Sequence, residues 1–116
     1  MQKSLNNNVK QLAISEIKPS QKINKYKGPF CLSCTSTKDP NVLVNDLIYC
    51  MEKLKIKYIR VSPYQFNCQK LNIRFEIEVM QLDEIEGLQI IRFKKITGEM
   101  AQYKEIGVKI ITLINI

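Results

Sequence analysis

The chain shows two kinds of hydrophobic periodicity, which predict strands and helices. In the segment Ile73–Val79 apolar residues alternate with charged ones, which is typical of a strand with one buried and one wet face. A second strand is predicted at Leu88–Ile96, after the acidic connection 83–87, in which a glycine supplies the turn. Because strand side chains alternate with period two, Ile91 and Phe93 are expected to point into the core.

Three shorter segments also have strand character, namely Phe30–Thr35, Lys55–Val61 and Tyr64–Gln69. Turns are predicted at Ser62-Pro63 and at residues 70–72, on either side of the last of these segments. Short strands joined by tight turns favour an antiparallel meander.

Two segments have helical periodicity instead. The first is predicted from Pro40 to about Leu54, because Asp39 is a good N-cap and proline suits the first helical position. Its apolar stripe consists of Leu43, Leu47, Ile48, Met51 and Leu54. The second helix is predicted to start at residues 97–99 and to run to about Leu113. Its predicted buried face consists of Met100, Tyr103, Gly107, Ile110, Ile111 and Ile114.

Gly107 is unusual on a helical stripe, since glycine costs roughly 1 kcal/mol relative to alanine in a helix. It indicates either a close helix–sheet contact or simply an unfavourable residue. The predicted order of elements is β-α-β-β-β-β-α. We therefore expect an α+β fold, with a four- or five-stranded antiparallel sheet and two helices packed on one of its faces.

Composition is that of one globular domain: 116 residues, of which 45% are hydrophobic and 25% charged. No apolar run reaches the length of about 18 residues that a transmembrane helix needs. The polar start, residues 1–10, does not resemble a secretory signal.

The net charge of +7 is unevenly distributed, because residues 1–30 carry six lysines and only one glutamate. We interpret residues 1–27 as a basic leader or linker and residues 28–116 as the folded domain, which Gly28-Pro29 introduces. A short amphipathic helix around Val9–Ile17 is the alternative for part of the leader. Nucleic acid, anionic lipid and an acidic protein face are all plausible partners for such a chain.

The chain has four cysteines and no histidine. Cys31-x-x-Cys34 is the only close pair, and Cys50 and Cys68 lack the paired spacing of zinc ligands. We predict structural, reduced thiols with neither metal nor disulfide, as in a reducing cytosol. No cofactor is predicted.

Arg92, Lys94 and Lys95 place three cations within four residues of a predicted strand, and they form the candidate anion-binding site. Arg92 and Lys94 are expected to share the wet face, with Lys95 near the strand end. The alternative is a solvated face on which these cations pair with Glu76 and Glu78 across the strands.

An enzyme is not indicated, because the sequence has no histidine, no nucleophile with a plausible base and no glycine-rich phosphate loop. An RNA-recognition motif would expose aromatic residues on its central strands. Here Phe75 and Phe93 fall on the buried register. No nucleic-acid partner is therefore expected.

Three stretches together resemble the kinase-associated-1 domain of microtubule-affinity-regulating and septin-associated Ser/Thr kinases. They are Thr35–Pro40, Phe75–Leu82, and Gly87–Gly98 with the following Tyr103-Lys104. Val61–Tyr64 is also similar to the C-terminal domain of AMP-activated-kinase α subunits. The resemblance covers roughly residues 28–116.

The resemblance implies a non-catalytic domain that binds anionic phospholipids such as phosphatidylserine, in some members restraining the parent kinase domain. Members place lipid-contacting cations at the positions of Arg92, Lys94 and Lys95. Some members also carry basic residues on the exposed face of the first helix, where this chain has Asn45 and Tyr49, with Lys53 only near the end of the helix. We therefore expect either a weaker lipid site or one that is completed by Lys55, Lys57 or the leader lysines. The alternative is a protein-interaction module that docks on a kinase domain or a partner subunit.

Overall fold

A computed structural model describes residues 23–29 and 34–114. Its elements are β1 Lys25–Tyr26, β2 Thr35–Ser36, α1 Pro40–Lys53, β3 Lys57–Ser62, β4 Gln65–Lys70, β5 Ile73–Leu82, β6 Gln89–Thr97 and α2 Met100–Ile114. The four long strands and both helices agree with the sequence prediction, with shifts of a few residues at their ends. Of the predicted strand Phe30–Thr35, residues 30–33 lie outside the described residues, and β2 begins at its last residue, Thr35. The predicted leader helix also lies outside the described residues.

Five strands form the antiparallel sheet, in the order β2-β6-β5-β4-β3. A sixth, β1, pairs in parallel with the end of β5, with Lys25 opposite Gln81. The Gln81 amide donates to the Asn24 carbonyl at 2.9 Å, and the Asp83 amide donates to the Tyr26 carbonyl at 3.0 Å. The end of the predicted leader thus continues the hydrogen bonding of β5 beyond the end of β4.

The core lies on one face of the sheet, where both helices pack. Ile73, Phe75, Ile77 and Val79 alternate along β5 and are all buried, as the sequence predicted. Leu43, Val44, Leu47, Cys50 and Met51 of α1 and Ile106, Ile110 and Ile114 of α2 cover them. The predicted α+β fold with both helices on one face is confirmed. The other face of the sheet carries no helix in the described part of the chain.

Helix α1 is held at both ends by side-chain hydrogen bonds. The Asp39 carboxylate accepts from the Asn41 amide at 2.8 Å, which confirms the predicted N-cap and contributes about 1 kcal/mol. At the other end Lys70 Nζ donates to the Leu54 carbonyl at 2.8 Å. This lysine fits the negative end of the helix dipole. It also ties the helix to the β4–β5 turn.

Helix α2 departs from the predicted stripe in two places. Ile106 is buried with Ile110 and Ile114, whereas Met100 is 49% exposed. The prediction for Met100 is wrong because the buried stripe consists of every fourth residue from Ile106, and Met100 does not lie on that stripe. A Cβ added at Gly107 would meet no atom within 4 Å, so the close-contact interpretation of this glycine is wrong too.

Candidate functional site

The strand register brings cations from distant parts of the sequence to one end of the sheet. Lys57 lies opposite Gln69, Gln69 opposite Arg74, and Arg74 opposite Thr97, so the starts of β3 and β5 meet the ends of β4 and β6. The end of α1 arrives at the same place because β3 follows it directly. We call the cationic residues at this end the basic edge: Lys53, Lys55, Lys57, Lys70, Arg74 and Lys95.

A groove of about 480 Å³ joins the α1 side of this edge to α2. Lys53, Lys55 and Lys70 line it together with Leu71. From α2 it receives Gln102, Glu105, Ile106 and Lys109. The groove therefore combines an apolar floor with several ammonium groups.

Two residues of the groove have a strained backbone. Lys55 has φ 59° and Leu71 has φ 55°, and they are the non-glycine residues with positive φ in residues 23–29 and 34–114. The left-handed conformation costs roughly 1–2 kcal/mol for a residue with a Cβ. The turns after α1 and after β4 are thus made by residues other than glycine, whereas Gly98 makes the turn after β6.

The charges of the basic edge are not neutralised by carboxylates. Within the described ranges, none of its six cations forms a salt bridge. Lys95 Nζ donates to the Gly98 carbonyl at 3.1 Å, and Lys53 Nζ lies 5.8 Å from the centroid of the Tyr49 ring. Neither contact is with a carboxylate, and Glu105, which lines the same groove, pairs with Lys109. Cations without a carboxylate partner attract anions within a Debye length.

The predicted site residues are distributed over both faces of the sheet. Lys94 lies opposite Glu76 on the face without helices and is exposed. Lys95 lies opposite Phe75, on the helix-covered face, and is half-buried. Lys57 lies on β3, three strands away. A planar partner laid flat against either face would miss some of these lysines, whereas a partner that approaches the basic edge end-on meets both faces.

Arg92 is engaged within the protein. Its Nη2 lies 3.0 Å from Glu78 Oε1 and 3.8 Å from Glu76 Oε1. Glu78 is only 6% exposed and also accepts a hydrogen bond of 2.7 Å from Asn24 Nδ2. For Arg92, the structure therefore shows the alternative given above, in which the guanidinium pairs with Glu76 and Glu78 across the strands.

Sequence reasoning did not assign Lys53, Lys70, Arg74 or Leu71 to the site. Lys70 and Leu71 belong to the predicted turn 70–72. A hairpin there necessarily brings Lys70 close to Arg74, and this signal was available in the sequence. The approach of α1 and α2 to this turn depends on tertiary packing, and no signal in the sequence predicts it.

The opposite end of the sheet carries an acidic connection. The β5–β6 connection carries Asp83, Glu84 and Glu86, and all three are exposed. Lys27 lies 3.7 Å from Asp83 in an exposed ion pair. Because β5 is ten residues long, the acidic and basic ends are roughly 30 Å apart.

Two of the three described thiols belong to the hydrophobic core. Cys50 and Cys68 are buried, and Cys68 Sγ lies 3.6 Å from Met51 Sδ. Burial raises the pKa of Cys68 to about 12. In the described residues no group of three or more potential ligands is placed to hold a metal ion. No described helix is long and apolar enough to cross a membrane.

Comparison with known proteins agrees with the resemblance seen in the sequence. Residues 71–116 match the family model of kinase associated domain 1. The chain is 31% identical over 114 residues to the probable serine/threonine-protein kinase MARK-B of Dictyostelium discoideum, covering 93% of this chain and 16% of that protein. It is 28% identical over 87 residues to the probable serine/threonine-protein kinase MARK-C of the same organism, covering 73% of this chain and 11% of that protein.

The chain thus spans less than a fifth of the length of these curated relatives. The matched family is a non-catalytic, kinase-associated domain, in agreement with the expectation that this chain is not itself an enzyme. With the α+β fold and the match over β5, β6 and α2, we conclude that the chain carries a kinase-associated-1 domain.

Proposed function

We propose that this domain is the C-terminal part of a Ser/Thr protein kinase and binds anionic phospholipids such as phosphatidylserine through the basic edge. Binding would hold the kinase at the inner face of the plasma membrane, as a peripheral protein. The observation that carries the proposal is the convergence at one end of the sheet of six cations that form no salt bridge within the described residues, with the acidic connection 83–87 at the other end.

The charge separation favours one orientation at a membrane. Each lysine or arginine close to an anionic surface contributes about 1 kcal/mol, so six at one edge support reversible binding of several kcal/mol. The acidic connection 83–87 is repelled by the same surface. Because the attraction is electrostatic, it should decrease as the salt concentration rises.

The predicted site residues should contribute unequally to lipid binding. Lys55, Lys57 and Lys95 belong to the basic edge, and Lys94 adds an exposed charge on the face without helices. Arg92 contributes less, because Glu78 and Glu76 already compensate its guanidinium. A phosphate group would have to displace these carboxylates to bind Arg92.

Sedimentation with vesicles tests the proposal. We expect the chain to pellet with vesicles of phosphatidylcholine and phosphatidylserine at low salt, to remain in solution with pure phosphatidylcholine, and to be released by added salt. Equal binding to both kinds of vesicle, or none to either, would contradict lipid binding through the basic edge.

We propose docking on the parent kinase domain, with restraint of its activity, as a second candidate function. The observation that favours it is the sheet face without a helix, where Ile59 is 70% and Ile96 46% exposed. Both residues line a depression of about 590 Å³. If this face restrains the kinase, Ile59→Ser in the full-length protein should raise kinase activity without changing vesicle binding. Unchanged activity would exclude this surface.

A further inference from the structure

We propose that Leu71, at the tip of the β4–β5 turn, inserts its side chain into the acyl boundary of an anionic membrane when the basic edge docks. This inference rests on the proposed lipid binding. It adds an apolar anchor to what is otherwise an electrostatic contact.

Exposure and surroundings single out Leu71. Its relative exposure of 77% is the highest of any large hydrophobic residue in the described part of the chain. It follows Lys70 in sequence and shares a groove with Lys53 and Lys55. An apolar side chain surrounded by cations is the arrangement that binds the interface of anionic membranes.

The backbone at Leu71 gives a second reason. Lys70 and Ile73 are paired, so residues 71–72 form a two-residue hairpin connection. Leu71 is the residue with positive φ, at 55°, where glycine is usual. A leucine there is strained and remains outside the core, so neither local conformation nor packing explains its presence. Strain of this kind is characteristic of functional sites.

The neighbouring connection extends the apolar tip. A Cβ built at Gly98 would lie 3.1 Å from the Asn72 carbonyl oxygen and 3.0 Å from Ile73 Cα, so the β6–α2 connection packs directly against the hairpin turn. Met100, two residues later, is 49% exposed. Leu71 and Met100 are therefore at the same end of the molecule as the lysines.

The absence of tryptophan from the sequence permits a direct test. Leu71→Trp introduces a unique fluorophore at the tip. Ile85→Trp is the matched control, because Ile85 is 46% exposed but lies in the acidic connection at the opposite end. Both variants are mixed with phosphatidylserine-containing vesicles, and binding is measured separately by sedimentation. Lipids brominated in their acyl chains then report the depth of the indole.

For Leu71→Trp we expect a blue shift of the emission and quenching by the brominated lipids, with neither effect for Ile85→Trp. Binding by sedimentation without a blue shift of L71W would overturn insertion and leave lipid binding intact. Equal shifts in both variants would also overturn it. If the unsubstituted chain does not bind anionic vesicles at all, the proposed function fails, and the inference fails with it.

A second variant measures the contribution of the anchor. Leu71→Asn introduces a residue that tolerates positive φ better than leucine does. The variant should therefore fold at least as well as the unsubstituted chain. Its affinity for anionic vesicles should fall by about tenfold, since a buried leucine side chain is lost. Its salt dependence should not change, because no charge is removed. Unchanged affinity of a folded L71N would overturn the inference.

Discussion

Arg92 on β6 donates a 3.0 Å hydrogen bond from Nη2 to Glu78 Oε1, directly opposite on β5. The carboxylate of Glu78 is almost completely buried although it lies on the sheet face without helices, because Arg92 and Asn24 cover it. Through Asn24, the Arg92–Glu78 pair therefore connects β6, which carries the predicted cations, to the end of the predicted leader.

Removing the guanidinium should destabilise the fold. Arg92→Ala leaves the buried Glu78 carboxylate with Asn24 as its remaining side-chain partner among the described residues, and we expect a loss of about 2 kcal/mol in the free energy of unfolding. Lys94→Ala on the same strand face is the control and should cost less than about 0.5 kcal/mol, because Lys94 is exposed. Urea unfolding of both variants tests this, and equal stabilities would show that the pair contributes nothing.

Gly98 and Gly107 should respond in opposite directions to alanine. Gly98 has φ 116°, and an added Cβ would lie 2.5 Å from Ile73 Cδ1 and 3.1 Å from the Asn72 carbonyl oxygen. We expect Gly98→Ala to destabilise by more than about 1 kcal/mol.

Gly107 has no atom within 4 Å of an added Cβ, and it lies inside α2. Gly107→Ala should therefore stabilise the protein by up to about 1 kcal/mol. Thermal unfolding of the two variants measures the difference. A lower melting temperature for G107A would mean that the glycine has a packing role after all.

The Cys68 thiol should be unreactive in the folded protein. Burial raises its pKa from 9.0 to about 12, so the thiolate is scarce at neutral pH and the sulfur is shielded. Iodoacetamide at pH 8 should label Cys68 slowly in buffer and rapidly in urea, as peptide mass spectrometry can determine. Rapid labelling of the folded chain would contradict the buried position.

The same pKa difference predicts a pH dependence of stability. The folded state retains the Cys68 proton to higher pH than the unfolded state does. The contribution of the protonated thiol to the free energy of unfolding is therefore complete below pH 9, and it is lost as the pH rises towards about 12. Burial also raises the pKa of Cys50, which acts in the same direction. Cys68→Ser should reduce the slope of unfolding free energy against pH above 9.

Most of the fold could be predicted from the sequence because local signals determine it. The alternation in β5 and the Asp39-Pro40 start of α1 each specify one element without reference to distant residues. The parallel pairing of Lys25–Tyr26 with β5 could not be predicted, since a two-residue strand has no periodicity. The exposure of Met100 in the first turn of α2 could not be predicted either, because which residues of a helix are buried at its ends depends on tertiary packing.

The candidate site was predictable only in part, for a related reason. The segment Arg92–Lys95 is visible as a cluster in the sequence, but strand alternation sends Lys94 and Lys95 to opposite faces, and Arg92 finds carboxylates across the strand. The basic edge instead depends on register, which brings Lys57, Arg74 and the turn after Lys70 together. Register is a property of the whole sheet.

Binding of neutralised variants to anionic vesicles tests the central claim most directly. Lys55→Gln with Lys57→Gln removes two charges from the basic edge. Lys25→Gln with Lys27→Gln removes the same charge at the acidic end. All four lysines are exposed, so both variants should fold normally. At about 1 kcal/mol for each lysine, the first variant should bind phosphatidylserine-containing vesicles roughly thirtyfold more weakly, and the second should bind nearly as well as the unsubstituted chain. Equal losses in the two variants would mean that net charge alone drives binding, and would contradict a lipid site at the basic edge.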